Sequence, residues 1–198
     1  MATTISYTND LGEPITTQQF KELNDYDINY YNDGILKKSE HYLNREINYF
    51  TYYLDPGQTI SDVLNEYSEY RVDIIERSMF GTYRVQDEKY YNKGVLKFYY
   101  KKIYNQDNNL VCEHEYDLST MRPILDKTEK FLYVDSDSLA ALGFMYNNEG
   151  KIKYIWGNWV LNTDQGQNGF INIADVSKYF PTLFIDYPYF ENADFFPG

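Results

Sequence analysis

His41 and His114 are the only histidines in the 198-residue chain, which removes three-histidine metal sites and confines imidazole acid–base chemistry to two places. His114 lies in Cys112-Glu113-His114-Glu115-Tyr116. On a strand Cys112, His114 and Tyr116 share one face and Glu113 and Glu115 the other. Residues two apart on a strand stand about 7 Å from each other, too far for a Cys–His nucleophile pair. The segment reads as an exposed strand flanked by charge. His41 falls in a polar strand with no nucleophile near it in sequence and reads the same way. Cys112 is the only cysteine, so no intrachain disulfide forms and a Cys-based zinc site would need a second chain.

Other chemical patterns are incomplete. Asp135-Ser136-Asp137-Ser138 supplies half the ligand spacing of a calcium loop, and helix capping explains it better. The run Asp164-Gln165-Gly166-Gln167-Asn168-Gly169 lacks the Lys and Ser/Thr of a phosphate loop and reads as a hairpin turn. Carboxylates are abundant, but nothing singles out two at glycosidase separation. The expectation is a non-catalytic protein with no cofactor and no metal. Thirty acidic against 18 basic residues give a formal charge of −12, which repels nucleic-acid phosphates and anionic lipid alike. Neither nucleic acid nor membrane is an expected partner. The opening MATTISYTNDLGEPI lacks the basic start and apolar stretch of a secretory signal, and no stretch of about 18 apolar residues follows; the expected location is the cytoplasm.

The elements that position these residues are written in a recurring turn. Tyr30-Tyr31-Asn32-Asp33-Gly34-Ile35-Leu36-Lys37 and Tyr90-Tyr91-Asn92-Lys93-Gly94-Val95-Leu96-Lys97 differ at two positions. Looser copies occupy 146–153, 104–111 and 52–60. In each an aromatic ends a strand, Asn, Asp or Gly reverses the chain, and an aliphatic residue starts the return, the grammar of a β-hairpin. Tyrosine, 23 in all, stands where Val or Leu would mark a dry core, so many strands are expected to keep one face partly wet. Helices are expected at 59–67, where Ile60, Val63, Leu64 and Tyr67 follow a Thr59 cap, and over Ser136–Gly143. The predicted architecture is a β-dominant α+β fold, an antiparallel hairpin or meander sheet with one or two short helices, in a single domain spanning 1–198.

The Tyr-Tyr-x-x-Gly-x-Leu-Lys core, with the 22-residue step from Tyr30-Tyr31 to Tyr52-Tyr53 through Tyr42-Leu43-Asn44 and Phe50, resembles the MORN-variant repeat, over residues 30–60. The usual Gly-x-Trp half of the repeat is missing. Such proteins form antiparallel meanders used as binding scaffolds, and some are labelled antitoxin components. The resemblance implies an interaction surface and assigns no functional residue.

The final third concentrates aromatics near Pro181, Pro188 and Pro197. One reading has Trp156, Phe170, Phe180, Phe184 and Ile185 filling a core while the tail covers a sheet edge. Another makes Asp186, Tyr187, Tyr189, Phe190, Glu191 and Asp194 an exposed acidic-aromatic strip that anchors another protein. The leading expectation is an immunity- or antitoxin-like protein that blocks a partner, such as a basic toxin or nuclease. The alternative is a carbohydrate-binding module using Trp156, Asn158 and Trp159, although on a strand the two indoles point to opposite faces. A self-associating repeat array is a third class.

Overall fold

The computed structural model describes residues 2–133, 142–157 and 169–196. The fold is β-dominant, with mostly antiparallel strands and a few short helices. The chain divides into two compact units, Met1–Arg77 with Asp87–Tyr99, and Ser78–Gln86 with Tyr100–Gly198.

The first unit contains β1 (Thr3–Asn9), β2 (Pro14–Ile15), α1 (Thr17–Glu22), β3 (Tyr26–Asn32), β4 (Ile35–Leu43), β5 (Glu46–Tyr53) and α2 (Ile60–Glu66). The long strands β6 (Arg71–Phe80), β7 (Tyr83–Asn92) and β8 (Val95–Tyr104) divide their residues between the two units. Here the strands run β2-β1-β3-β4-β5-β6. The β3–β4 reversal places Asp33 and Gly34 at φ +49° and +78°, and the β7–β8 reversal places Lys93 and Gly94 at +49° and +72°. Two consecutive left-handed residues make the turn whose twist matches that of the flanking strands, which is why the Asn-x-Gly motif appears at both.

Residues 52–60 depart from the hairpin expectation. β5 and β6 pair in parallel, from Tyr49 opposite Arg71 to Tyr53 opposite Ile75, and parallel neighbours require a crossover rather than a tight turn. Asp55-Pro56-Gly57 instead leads into α2, which supplies that crossover. Thr59 Oγ1 accepts the Asp62 N–H at 3.2 Å and Asp62 Oδ2 accepts the Thr59 N–H at 2.9 Å, a reciprocal cap. The helix lays Val63 on Phe50, Val72 and Ile74, all buried. A helix not expected from the pattern, α1, uses the same device with Thr16 and Gln19 and sets Phe20 against Tyr7 and Tyr26, with ring centroids 4.4 and 4.6 Å away.

The second unit adds β9 (Leu110–Asp117), β10 (Arg122–Pro123), β11 (Glu129–Leu132), β12 (Leu142–Tyr146), β13 (Ile152–Trp156) and β14 (Phe170–Asn172). Its strands run β8-β9-β11-β12-β13-β14, with β10 on β9. The β12–β13 turn is built by Asn147, whose side chain accepts the Glu149 and Lys151 N–H groups at 2.9 and 3.0 Å. Two short helices follow, α3 (Val176–Tyr179) and α4 (Leu183–Asp186), then a 3-10 turn, Pro188–Phe190. The core joins Leu142, Phe144, Ile155, Ile171, Leu183 and Phe190. Phe180 and Phe184 pack at its margin, whereas Phe170 and Ile185, expected inside, are 55% and 78% exposed. Of the expected 136–143 helix, 136–141 lie outside the described residues. Leu142 and Gly143 belong to β12, where Gly143 serves close packing and not a helix stop. The runs 135–138 and 164–168 also lie outside the described residues.

Candidate functional site

The acidic-aromatic strip is held in place by its own backbone. Lys130, on β11 and fully buried, donates from Nζ to the carbonyls of Tyr189 and Asn192, both at 2.6 Å. Tyr146 donates its hydroxyl to Phe190 O at 2.8 Å, and Tyr189 donates to Phe195 O at 2.7 Å. The Ala193 N–H reaches Gly150 O at 2.9 Å. These bonds satisfy carbonyls that the irregular tail would otherwise leave unpaired, and they turn the segment after α4 across the sheet.

The result is a groove of about 500 Å³ lined by Asp186, Tyr187, Tyr189 and Asp194 together with Tyr83 and Phe196. Two of the six predicted strip residues are placed differently. Phe190 touches the groove but is only 5% exposed and stacks on Phe144 at 4.6 Å, so it is a core anchor and not a docking side chain. Glu191 faces a neighbouring groove with Lys151 and Phe184. Tyr83 and Phe196 complete the lining: Tyr83 lies on β7, about a hundred residues before the strip, and only the tertiary fold brings it there. Among the described residues, none of Asp186, Glu191 and Asp194 forms an ion pair.

Behind this groove the expected exposed strand at Cys112–Tyr116 is instead interior. Cys112 is fully buried and His114 is 2% exposed. β9 is central, with β8 on one side and β11 on the other, so the face carrying Cys112 and His114 lies in the core. Burial, reinforced by Lys130 and Lys101, holds the His114 pKa down to about 4, and burial pushes the Cys112 thiol up to about 12. Near neutral pH the pair is therefore a neutral imidazole and a neutral thiol. His114 Nδ1 is 3.3 Å from Thr128 Oγ1, and its Nε2 is buried without a partner. Burial lowers the Lys130 pKa to about 8.

Of the alternative sugar-binding residues, Trp156 is half-buried and its indole lies directly over Gly143, where a Cβ would sit 2.2 Å from Cε2. Asn158 and Trp159 lie outside the described residues.

A second polar cluster occupies one face of the first unit, opposite the face covered by α2. Strand register stacks its side chains in two cross-strand rows. One runs Thr8, Asp27, His41, Tyr49, Arg71; the next runs Ser6, Asn29, Ser39, Thr51, Asp73. His41 Nδ1 is 2.7 Å from Asp27 Oδ1, and Nε2 is 2.9 Å from Thr51 Oγ1. The hydroxyl that sequence spacing hides is thus supplied by a neighbouring strand. Ser39 donates to Asn29 Oδ1 at 2.6 Å.

Among the described residues no group of three or more His, Cys, Asp or Glu side chains is placed to hold a metal ion, and no helix is long and apolar enough to cross a membrane. Compared with family models, curated proteins and solved structures, the chain matches none.

Proposed function

We propose that the chain acts by binding another protein, in the manner of an immunity protein or antitoxin, through the groove formed by Asp186, Tyr187, Tyr189 and Asp194 with Tyr83 and Phe196. The observation that carries this reading is the pairing of aromatic walls with carboxylates that have no ion-pair partner among the described residues. Such a surface complements a basic, aromatic-accepting one. Charge speeds encounter, and desolvated rings slow release. The formal charge of −12 extends that attraction beyond the groove. A basic toxin or a nuclease, whose own groove is built for phosphates, has the required chemistry. The MORN-variant resemblance of residues 30–60 agrees with a scaffold role.

The test uses the product of the neighbouring open reading frame as probe, with surface plasmon resonance as readout. Binding below micromolar Kd that Tyr187→Ala and Asp186→Asn weaken supports the proposal. Absence of such binding, or binding those variants leave untouched, overturns it.

A further inference from the structure

We propose that Thr51, His41 and Asp27 form a nucleophile–base–orienter triad on the face of the first unit opposite α2 and hydrolyse carboxylic esters. The site is separate from the docking groove and does not rest on it.

Proton positions follow from the partners. Ionised Asp27 only accepts, so His41 Nδ1 carries the hydrogen that it donates at 2.7 Å. A neutral ring then has its lone pair on Nε2, and Thr51 must donate its hydroxyl hydrogen there across 2.9 Å. That is the arrangement in which a base withdraws a proton from a hydroxyl nucleophile while a carboxylate fixes its tautomer. The ring is further fixed by Tyr49, stacked on it at 4.0 Å and 12°, with the Arg71 guanidinium 4.5 Å from the same tyrosine ring. Thr8 donates to the second Asp27 oxygen at 3.4 Å. Tyr49 and Thr8 are positioning residues. The His41 and Asp27 side chains keep 19% and 23% of their surface in solvent.

A second observation marks the same spot. Asp73 stands opposite Thr51 in the β5–β6 register, is 8% exposed, and has an Oδ1 with no hydrogen-bond partner. A buried carboxyl with an idle oxygen beside a nucleophile is rare, because such groups are ordinarily satisfied. Its other oxygen, Oδ2, lies 3.4 Å from the Arg71 guanidinium, and burial raises its pKa, with Arg71 opposing.

The reaction balances with water alone. Thr51 Oγ1 bonds to the acyl carbon as its proton passes to His41 Nε2. The tetrahedral intermediate collapses, the ester C–O bond breaks, and His41 returns the proton to the departing alcohol. Water then attacks the acyl-threonine with His41 as base. The Oγ1–acyl bond breaks, Thr51 recovers its hydrogen, and the acid leaves.

The experiment measures p-nitrophenyl acetate hydrolysis by the full chain, with thermal melts to verify folding. Expected is acceleration over buffer that falls at least about 10²-fold in Thr51→Val and His41→Gln, a size typical of losing a positioned base. The conservative Thr51→Ser should retain it. A fluorophosphonate probe should leave its adduct on Thr51, as read by peptide mass spectrometry. No acceleration by the wild-type chain, acceleration that Thr51→Val preserves, or an adduct elsewhere overturns the proposal.

Discussion

The Lys130 ammonium stands 3.6 Å above the Tyr189 ring centroid while donating to that residue's own carbonyl. One side chain thus ties Tyr189, one of the groove's tyrosines, by face and by backbone, to β11. Both carbonyl partners and the ring's negative face replace part of the buried lysine's lost hydration.

Lys130→Met keeps the stem and removes the charge, leaving two carbonyl acceptors without their donor. Each costs about 1–3 kcal/mol, so the variant should lose about 3 kcal/mol in urea denaturation at pH 7. The linkage has a definite sign. The folded pKa lies near 8, below the ordinary 10.5, so between those values the unfolded chain binds more protons and stability rises with pH. The wild-type gain over that window, about 3 kcal/mol, should vanish in Lys130→Met. Equal pH slopes in the two proteins would refute the assignment.

His114 gives the acid counterpart. Its folded pKa of about 4, against an ordinary 6.5, means that the unfolded chain binds the extra proton between these values. Stability should fall as pH drops from 6.5 to 4, by about 3 kcal/mol from this residue. Denaturation of wild type and His114→Gln at pH 7 and 4.5 isolates the contribution; an unchanged difference between the two pH values contradicts it.

Gly143 is required by Trp156 and not by a turn. An added Cβ would meet the indole at 2.2–2.5 Å, so Gly143→Ala should cost about 1–3 kcal/mol, as overpacking does, and shift tryptophan fluorescence. Adding Trp156→Ala should cancel most of the penalty. A neutral single substitution argues against the close approach.

The Thr59 cap is a local prediction. Thr59→Ala removes the hydroxyl that accepts the Asp62 N–H and donates to Asp62 Oδ2 at the start of α2 and should cost about 1 kcal/mol. Because α2 carries Val63 into the first unit's core, the loss should appear in the global melt and not only as fraying in hydrogen exchange.

Much of this was legible in local sequence. The Asn-x-Gly turns reveal themselves because only left-handed residues close a two-residue hairpin, and Thr59 with Ile60, Val63 and Leu64 spells a capped helix. Less legible were features set by strand neighbours. Asp55-Pro56-Gly57 looks like another turn until the parallel pairing of β5 with β6 is known. Phe190 and Tyr187 sit three residues apart in one aromatic run, yet one is buried and the other 39% exposed, a division made by the 3-10 turn. Thr51 lies ten residues from His41 and Asp27 fourteen, and sheet register alone unites them. Thr16-x-x-Gln19 was a readable cap signal for α1, masked by the polar residues around it.

The most direct measurement of the docking groove is the association rate with the neighbouring gene's product, for wild type and for Asp186→Asn/Asp194→Asn, at 20 and 200 mM salt. The low-salt rate should be at least about tenfold slower in the double variant, with a shallower salt dependence and a dissociation rate nearly unchanged. Wild-type and variant rates that coincide at both salt concentrations would contradict it.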